Sequence, residues 1–483
     1  MSERTEGWAA EEFEGVNLGD KRLEARLARL CDRFSDSPES PINQACADWA
    51  ETKAAYRFFQ NENVGVEGIM AAHRRKTAAR AAGYDTVLAI QDTSFFVYTS
   101  HAKTAGLGKM SLKKGAHVSE IFSVGLVMHA CLAVTLDGVP LGLLDQKIFA
   151  RKLRPESERR RTGGKRLQDM LPVEEKESYR WLEALTATHT SAGGVRVVTV
   201  CDREADFYDF FKHADGLEAP LLVRASQNRT VNRRTRYAKK GVAKLWDHMG
   251  RQPVAGACLV EVPRRAKTKH CGERQARTAA VNVSFASFTM NPPRNNAKHR
   301  SEELPDLQLN AVLLREESPP EGDEPVEWML LTNLPVASSE EACEMARWYN
   351  LRWRIEMYFK VLKSGFRVEA CRLASAERLA RYLAVMSVVA WRLFMITLIA
   401  RADPNLPCST FLAQSEWKAL CAKVLGKGRS PDAAPTVGEA VTLIARLGGY
   451  LARKRDGPPG TLALWRGWKR LTDLAVGWSL AQS

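Results

Sequence analysis

No two of the ten cysteines stand in a CxxC pair, and no histidine cluster completes a zinc site beside them. Their scatter excludes a disulfide-stapled or zinc-built scaffold and leaves reduced thiols of the kind usual inside cells. The N-terminal stretch MSERTEGWAAEEFEG has no apolar signal region. No internal repeat runs through the chain. One segment, LAVMSVVAWRLFMITLIA (383–400), imitates a membrane span but carries Arg392 near its centre. A mid-span arginine costs about 2.5–3.5 kcal/mol on insertion scales, and the run is barely long enough to cross. A buried helix is therefore expected, with no membrane partner and a cytoplasmic location.

Acidic residues are scarce where basic ones crowd. Residues 224–301 hold 18 lysines and arginines against three acids, a surplus of 15 that equals the net charge of the whole chain, +15. With a pI near 9.4, this balance points to a polyanionic partner, and the loss of the membrane reading favours nucleic acid. At 483 residues and 45% hydrophobic, the chain can bury a large core split over two to four domains.

The first eighty or so residues read as short helices. After Gly19-Asp20, which can cap, Leu23, Leu27, Leu30, Cys31 and Phe34 form one stripe, while Arg22, Arg26, Arg29 and Arg33 form another. A helix with an apolar back and an arginine front suits phosphate, although a solvated face fits equally well. Strands follow. DTVLAIQDTS (85–94) is an apolar run, and SVGLVMHACLAVTLDGVPLGLLDQKIFA holds two strands joined at Asp137-Gly138. A charged linker (151–166), a helix, a strand ending in CDREAD, a further helix and the strand APLLVRAS complete a mixed sheet with helices on its faces. The basic stretch alternates charged loops with runs of strand pattern and reads as a β insertion.

Three acids stand out by position. Asp92 is placed at the end of the first strand, Asp202 at the end of a later one, and Glu356 on a late helix over about 338–364. Strand ends in an open α/β sheet gather at one edge. Converging carboxylates raise each other's pKa unless a cation neutralises them, and hard oxygen ligands suit Mg²⁺, with Mn²⁺ a substitute. Two such ions stabilise both the attacking and the leaving oxygen of a displacement at phosphorus. Wound as a straight helix, Tyr349, Arg352, Glu356 and Lys363 share a stripe roughly 60° wide, which puts one carboxylate in a row of donors; a solvated face with helical salt bridges fits the same pattern. Glu204 and Asp206 compete with Asp202 for the second position.

YNLRWRIEMYFKVLK spells Y-(2)-R-(3)-E-(6)-K, the signature of the DDE transposases of the insertion-sequence-four family. AIQDTS and CDREAD resemble the segments that carry that family's aspartates. LGDKRLEARL, AAYRFFQNENV, WMLLTNLPV and ARLGGYLARKRDG extend the likeness over almost the whole chain, most closely to its transposon-five type. The resemblance implies a ribonuclease-H-like mixed-sheet catalytic core with a β-strand insertion, flanked by helical N- and C-terminal domains. It implies an end-binding domain at 1–80, a catalytic domain at 81–375 with its insertion about 227–337, and a dimerisation domain at 376–483. It also implies cut-and-paste chemistry through a hairpin intermediate, transposon-end and target DNA as partners, and a homodimer in the synaptic complex. Asp92, Asp202 and Glu356 would be catalytic and bind two metal ions. Tyr349, Arg352 and Lys363 would hold phosphates, Trp328 would stack on a flipped base, and Arg224 would lie beside the DNA, with Arg22 and Arg26 adding contacts from the N-terminal helices. All three acids are present, which argues against a regulator that binds ends without cutting.

Overall fold

The computed structural model describes residues 8–101, 103–113, 121–151, 171–190, 194–233, 243–265, 272–293, 304–426, 433–453, 456–457 and 459–482. The arginine-rich linker and the tips of the basic stretch fall largely outside them.

The chain opens with α1 (Trp8–Glu12), α2 (Lys21–Asp36), α3 (Ile42–Ala45), α4 (Trp49–Gln60) and α5 (Val66–Ala81). Asp20 starts α2 as expected, its carboxylate accepting from the Arg22 N–H at 2.8 Å. The apolar stripe of α2 buries Leu27, Leu30, Cys31 and Phe34. Its arginine row does not act as one: Arg22 is exposed, whereas Arg33 turns to the buried carboxylate of Glu51 at 3.1 Å.

Among the described residues a 12-stranded mixed sheet follows. Its first half comprises β1 (Thr86–Val97), β2 (Gly108–Lys113), β3 (Ile121–Val134), β4 (Pro140–Phe149), β5 (Arg196–Cys201) and β6 (Leu221–Arg224), with α6 (Tyr179–Thr190) and α7 (Tyr208–Gly216) in the crossovers. β1, β5 and β6 run parallel, while β3 lies antiparallel to β1, β2 and β4. The Asp137-Gly138 turn forms as expected, with Gly138 at φ +84°. The edge strand β2 is absent from the sequence reading, because six residues of weak alternation carry little signal.

The basic stretch supplies β7 (Thr230–Val231), β8 (Ala243–Lys244), α8 (Leu245–Gly250), β9 (Gly256–Val262) and β10 (Arg277–Met290), followed by β11 (Leu307–Arg315) and β12 (Glu327–Thr332). These strands do not form a separate sheet. β12 pairs antiparallel with β6 through Leu330–Arg224 and Thr332–Leu222, so the insertion prolongs the same sheet.

The single helix expected over 338–364 is three pieces: α9 (Ser339–Leu351), α10 (Trp353–Lys360) and a π turn, Val361–Gly365. The Arg352 N–H donates to the Tyr349 carbonyl at 3.0 Å and the Ile355 N–H to the Arg352 carbonyl at 3.3 Å, a tightened three-residue spacing. At the far end the Phe366 N–H reaches back five residues to Val361 at 2.8 Å. The wider turn rotates Lys363 away from a strict 100° progression.

The apolar segment forms α11 (Ala376–Ala402) and is enclosed by the fold, packing on β3 and β4 from one side and on α2, α4 and α5 from another. By length and apolarity it could cross a bilayer, but most of its surface faces protein. The Arg392 guanidinium sits 4.6 Å above the Trp8 ring, which gives that buried cation a partner. The chain closes with α12 (Gln414–Leu425), α13 (Val437–Leu447) and α14 (Thr461–Gln482). Leu464, Trp468, Leu471 and Ala475 of α14, spaced like a coiled-coil seam, are buried within the chain itself. Among the described residues every cysteine is free.

Candidate active site

Register explains how the two aspartates meet. β1 and β5 are parallel with Gln91 opposite Cys201, so the next residues, Asp92 and Asp202, stand level with one another. The sequence reading put Asp92 at a strand end. In the structure β1 runs on to Val97, held by its antiparallel pairing to β3 as far as Val97–Gly125. It is β5 that stops, at Cys201, and that termination opens the space beside Asp92.

The three acids of CDREAD differ in their partners. Asp206 is fully buried and consumed by structure, accepting from Ser226 N–H at 2.6 Å, from Gln227 N–H at 2.9 Å and from the Arg229 guanidinium. Glu204 pairs with Arg180 at 3.1 Å. Asp202 accepts only a capping bond from the Glu204 N–H at 2.9 Å, and among the described residues no cation pairs with it.

Glu356 projects from α10. Arg352 bridges it to the strand: its guanidinium bonds Glu356 four residues on and lies 3.5 Å from Asp92. Burial pushes the Asp92 carboxyl up to about 7, and the charge of Asp202 adds to the rise while Arg352 opposes it. For Arg352, burial alone would lower the pKa, but Tyr349, Glu356 and Asp92 together raise it. No three acid, histidine or cysteine side chains among the described residues stand close enough here to close on a single ion. The donor set nevertheless fits divalent metal. Two level carboxylates repel, a third is tethered by one arginine, and Arg352 supplies the positive charge that an ion would otherwise bring.

Lys363 also faces this place, its ammonium 5.3 Å from the centre of the Phe96 ring on β1. Burial lowers its pKa, against the pull of Glu369 and Asp92. Next to the acids opens a cavity of about 900 Å³ whose walls include Arg203, Arg224, Trp328, Tyr349 and Arg352, with Arg265 and Arg274 from the insertion. Trp328, on β12, is half-buried and packs edge-on to Tyr349 at 5.1 Å. Arg224 lies 5.8 Å over the Trp328 ring and donates to the Glu327 carbonyl at 3.1 Å. The structure thus gathers eight of the ten residues singled out in the sequence. Arg22 and Arg26 stand apart on α2. Sequence reasoning missed Arg180 and Thr93, whose only trace is an arginine between Tyr179 and Trp181 and a threonine after Asp92.

Three family models match the chain in order: a transposase DNA-binding model over residues 5–64, a transposase DDE domain over 179–391 and a transposase Tn5 dimerisation domain over 388–483. The chain belongs to the DDE transposases, metal-dependent enzymes that cut DNA and transfer strands. Within that class it is of the Tn5 type, a DNA-binding protein with a dimerisation domain. Asp202 and Glu356 lie inside the DDE match, and Asp92 precedes it.

Proposed function

We propose that this transposase works by a cut-and-paste route with a hairpin intermediate, at a site formed by Asp92, Asp202 and Glu356. The observation that carries the reading is the β1–β5 register, which sets two carboxylates level, with the third tethered by Arg352 beside a cationic cavity. The three carboxylates would hold two Mg²⁺ ions, which would supply electrostatic stabilisation of an in-line displacement at phosphorus. Mn²⁺ substitutes. The sheet, with parallel β1 and β5 in its interior and the Glu-bearing helix against it, is read as a ribonuclease-H-like core.

The chain's own residues do the rest. Arg352 and Lys363 take phosphate oxygens of the strand to be cut, arginine by a planar fork and lysine as a point charge. Tyr349 backs them and orients Arg352. Water attacks first and frees a 3′-hydroxyl at the transposon end. That hydroxyl then attacks the opposite strand and closes a hairpin, which requires a base near the turn to leave its stack. Trp328 receives the base, and Arg224 holds the adjoining backbone. A second water opens the hairpin, and the 3′-hydroxyl joins target DNA.

The N-terminal helices, residues 1–80, read the ends, with Arg22 and Arg26 on phosphates. Residues 81–375 form the catalytic unit, with its insertion at about 227–337, and 376–483 join two copies in a synaptic complex in the bacterial cytoplasm. Incubation with candidate terminal-repeat DNA and Mg²⁺, read on a denaturing gel, tests this: nicks followed by hairpins are expected, and double-strand breaks without hairpins overturn the route.

A further inference from the structure

Arg180, at the start of α6, is a charged residue only 9% exposed, and two of its three hydrogen bonds run to residues beside the aspartates. Its Nε donates to Thr93 Oγ1 at 3.1 Å, its Nη2 to Glu204 Oε2 at 3.1 Å and its Nη1 to the Glu177 carbonyl at 2.6 Å. Thr93 follows Asp92, and its N–H donates to Asp92 Oδ1 at 2.7 Å. Glu204 lies two residues after Asp202, and its N–H donates to Asp202 Oδ1 at 2.9 Å. One guanidinium therefore grips the residue that orients the first aspartate and the residue that orients the second.

Behind it the contacts continue into the core: Thr93 Oγ1 accepts from Arg180 and lies 2.9 Å from His129 Nδ1, and His129 Nε2 lies 3.4 Å from Gln91 Oε1. Burial, with Arg180 adding to it, holds the His129 imidazole well below its usual range. A buried guanidinium is costly unless its fork is filled. Here it is filled by groups from β1, the turn after β5 and the start of α6, three elements that meet at the acids. The pairing also draws Glu204 aside and leaves Asp202 as the uncompensated carboxylate.

We propose that Arg180 is a positioning residue for the metal-binding aspartates, fixing the separation and aim of Asp92 and Asp202 through Thr93 and Glu204 and thereby setting divalent-ion affinity. This rests on the assignment of those aspartates made above. The test is Mn²⁺ binding to the full-length protein without DNA, followed by the electron paramagnetic resonance of free ion well below the unfolding temperature. Arg180→Met should weaken Mn²⁺ binding by about 10–100-fold, the usual effect of removing a residue that orients a ligand. Arg180→Lys should recover part of the loss. Thr93→Val, close to isosteric, breaks the link without removing a buried charge and should weaken binding several-fold; it decides the matter if Arg180→Met does not fold. Asp92→Asn and Asp202→Asn are the controls. If they abolish Mn²⁺ binding while Thr93→Val and a folded Arg180→Met retain full affinity, the positioning role is overturned and the site stands. If the controls bind Mn²⁺ normally, the site itself is wrong, and the inference falls with it.

Discussion

Asp92 holds its proton up to about 7 because it is buried beside Asp202, whereas an aspartate in an unfolded chain loses it near its ordinary value of 3.8. Between those values the metal-free folded protein binds more protons than the unfolded one. This contribution to stability is therefore complete below pH 3.8 and is lost as pH rises through about 7. At about 1.36 kcal/mol per pH unit the interval is worth at most roughly 4 kcal/mol. Asp92→Asn should accordingly raise the melting temperature of the metal-free protein at pH 8 and leave it nearly unchanged at pH 4; equal shifts at both would show that charge burial is not the cause. Trp328 belongs to the same scale. It is half-buried and lines the cavity, so Trp328→Ala should spare folding and the first nick but slow hairpin formation. An abasic site at the flipped position should partly restore the rate, since extrusion costs a few kcal/mol and stacking returns about 1–3 kcal/mol. Equal loss of both steps, with a lowered melting temperature, would return Trp328 to a packing role. The two aspartates were legible in sequence because they follow apolar runs, and Glu356 because of its spacing to Tyr349, Arg352 and Lys363. The choice of Asp202 over its neighbours rests on Arg180 and Arg229, which lie 22 residues before and 27 after it and give no local signal.

Elements were read best where periodicity is strong. The apolar helix 376–402, the Asp137-Gly138 hairpin and the parallel strands before the aspartates all carry long patterns. Their contacts were not legible, because which face meets which depends on residues far apart in sequence. The lock between the N-terminal helices and the sheet shows this. Glu12 on α1 accepts from His73 Nδ1 on α5 at 2.6 Å, and His73 Nε2 accepts the Leu143 N–H of β4 at 2.9 Å. Arg80 pairs with Glu12 at 2.8 Å and donates to the Leu141 carbonyl at 2.6 Å. Burial would raise the pKa of Glu12, but these partners hold it down to about 2. A depressed carboxylate stabilises the fold above its ordinary range and loses that contribution as pH falls towards 2. Glu12→Gln should cost about 3 kcal/mol at pH 7, with the gap from the parent protein shrinking steadily towards pH 3 in thermal unfolding. A pH-independent gap would mean that packing, not charge, is what was lost.

For the whole molecule, charge and family motifs said most. The basic stretch equals the net charge, yet its strands continue the catalytic sheet, and its Arg265 and Arg274 face the same cavity as Tyr349 and Trp328. That continuity was not legible, because the β6–β12 pairing joins residues about a hundred apart. Neutralising about six phosphates along this face gives a slope near −5 in log K against log salt. Filter binding of end DNA across salt concentrations should show it, and Arg224→Ala should weaken binding across sequences rather than relax specificity. A flat dependence would take the insertion off the DNA.

The most direct measurement replaces Asp92, Asp202 and Glu356 singly by alanine and follows both end binding and Mg²⁺-dependent cleavage. Affinity comes mainly from basic contacts, whereas two-metal displacement needs every ligand. Each variant should bind end DNA nearly as the parent does and cut none of it. Cleavage close to the parent rate in any one of the three would contradict the account of the site.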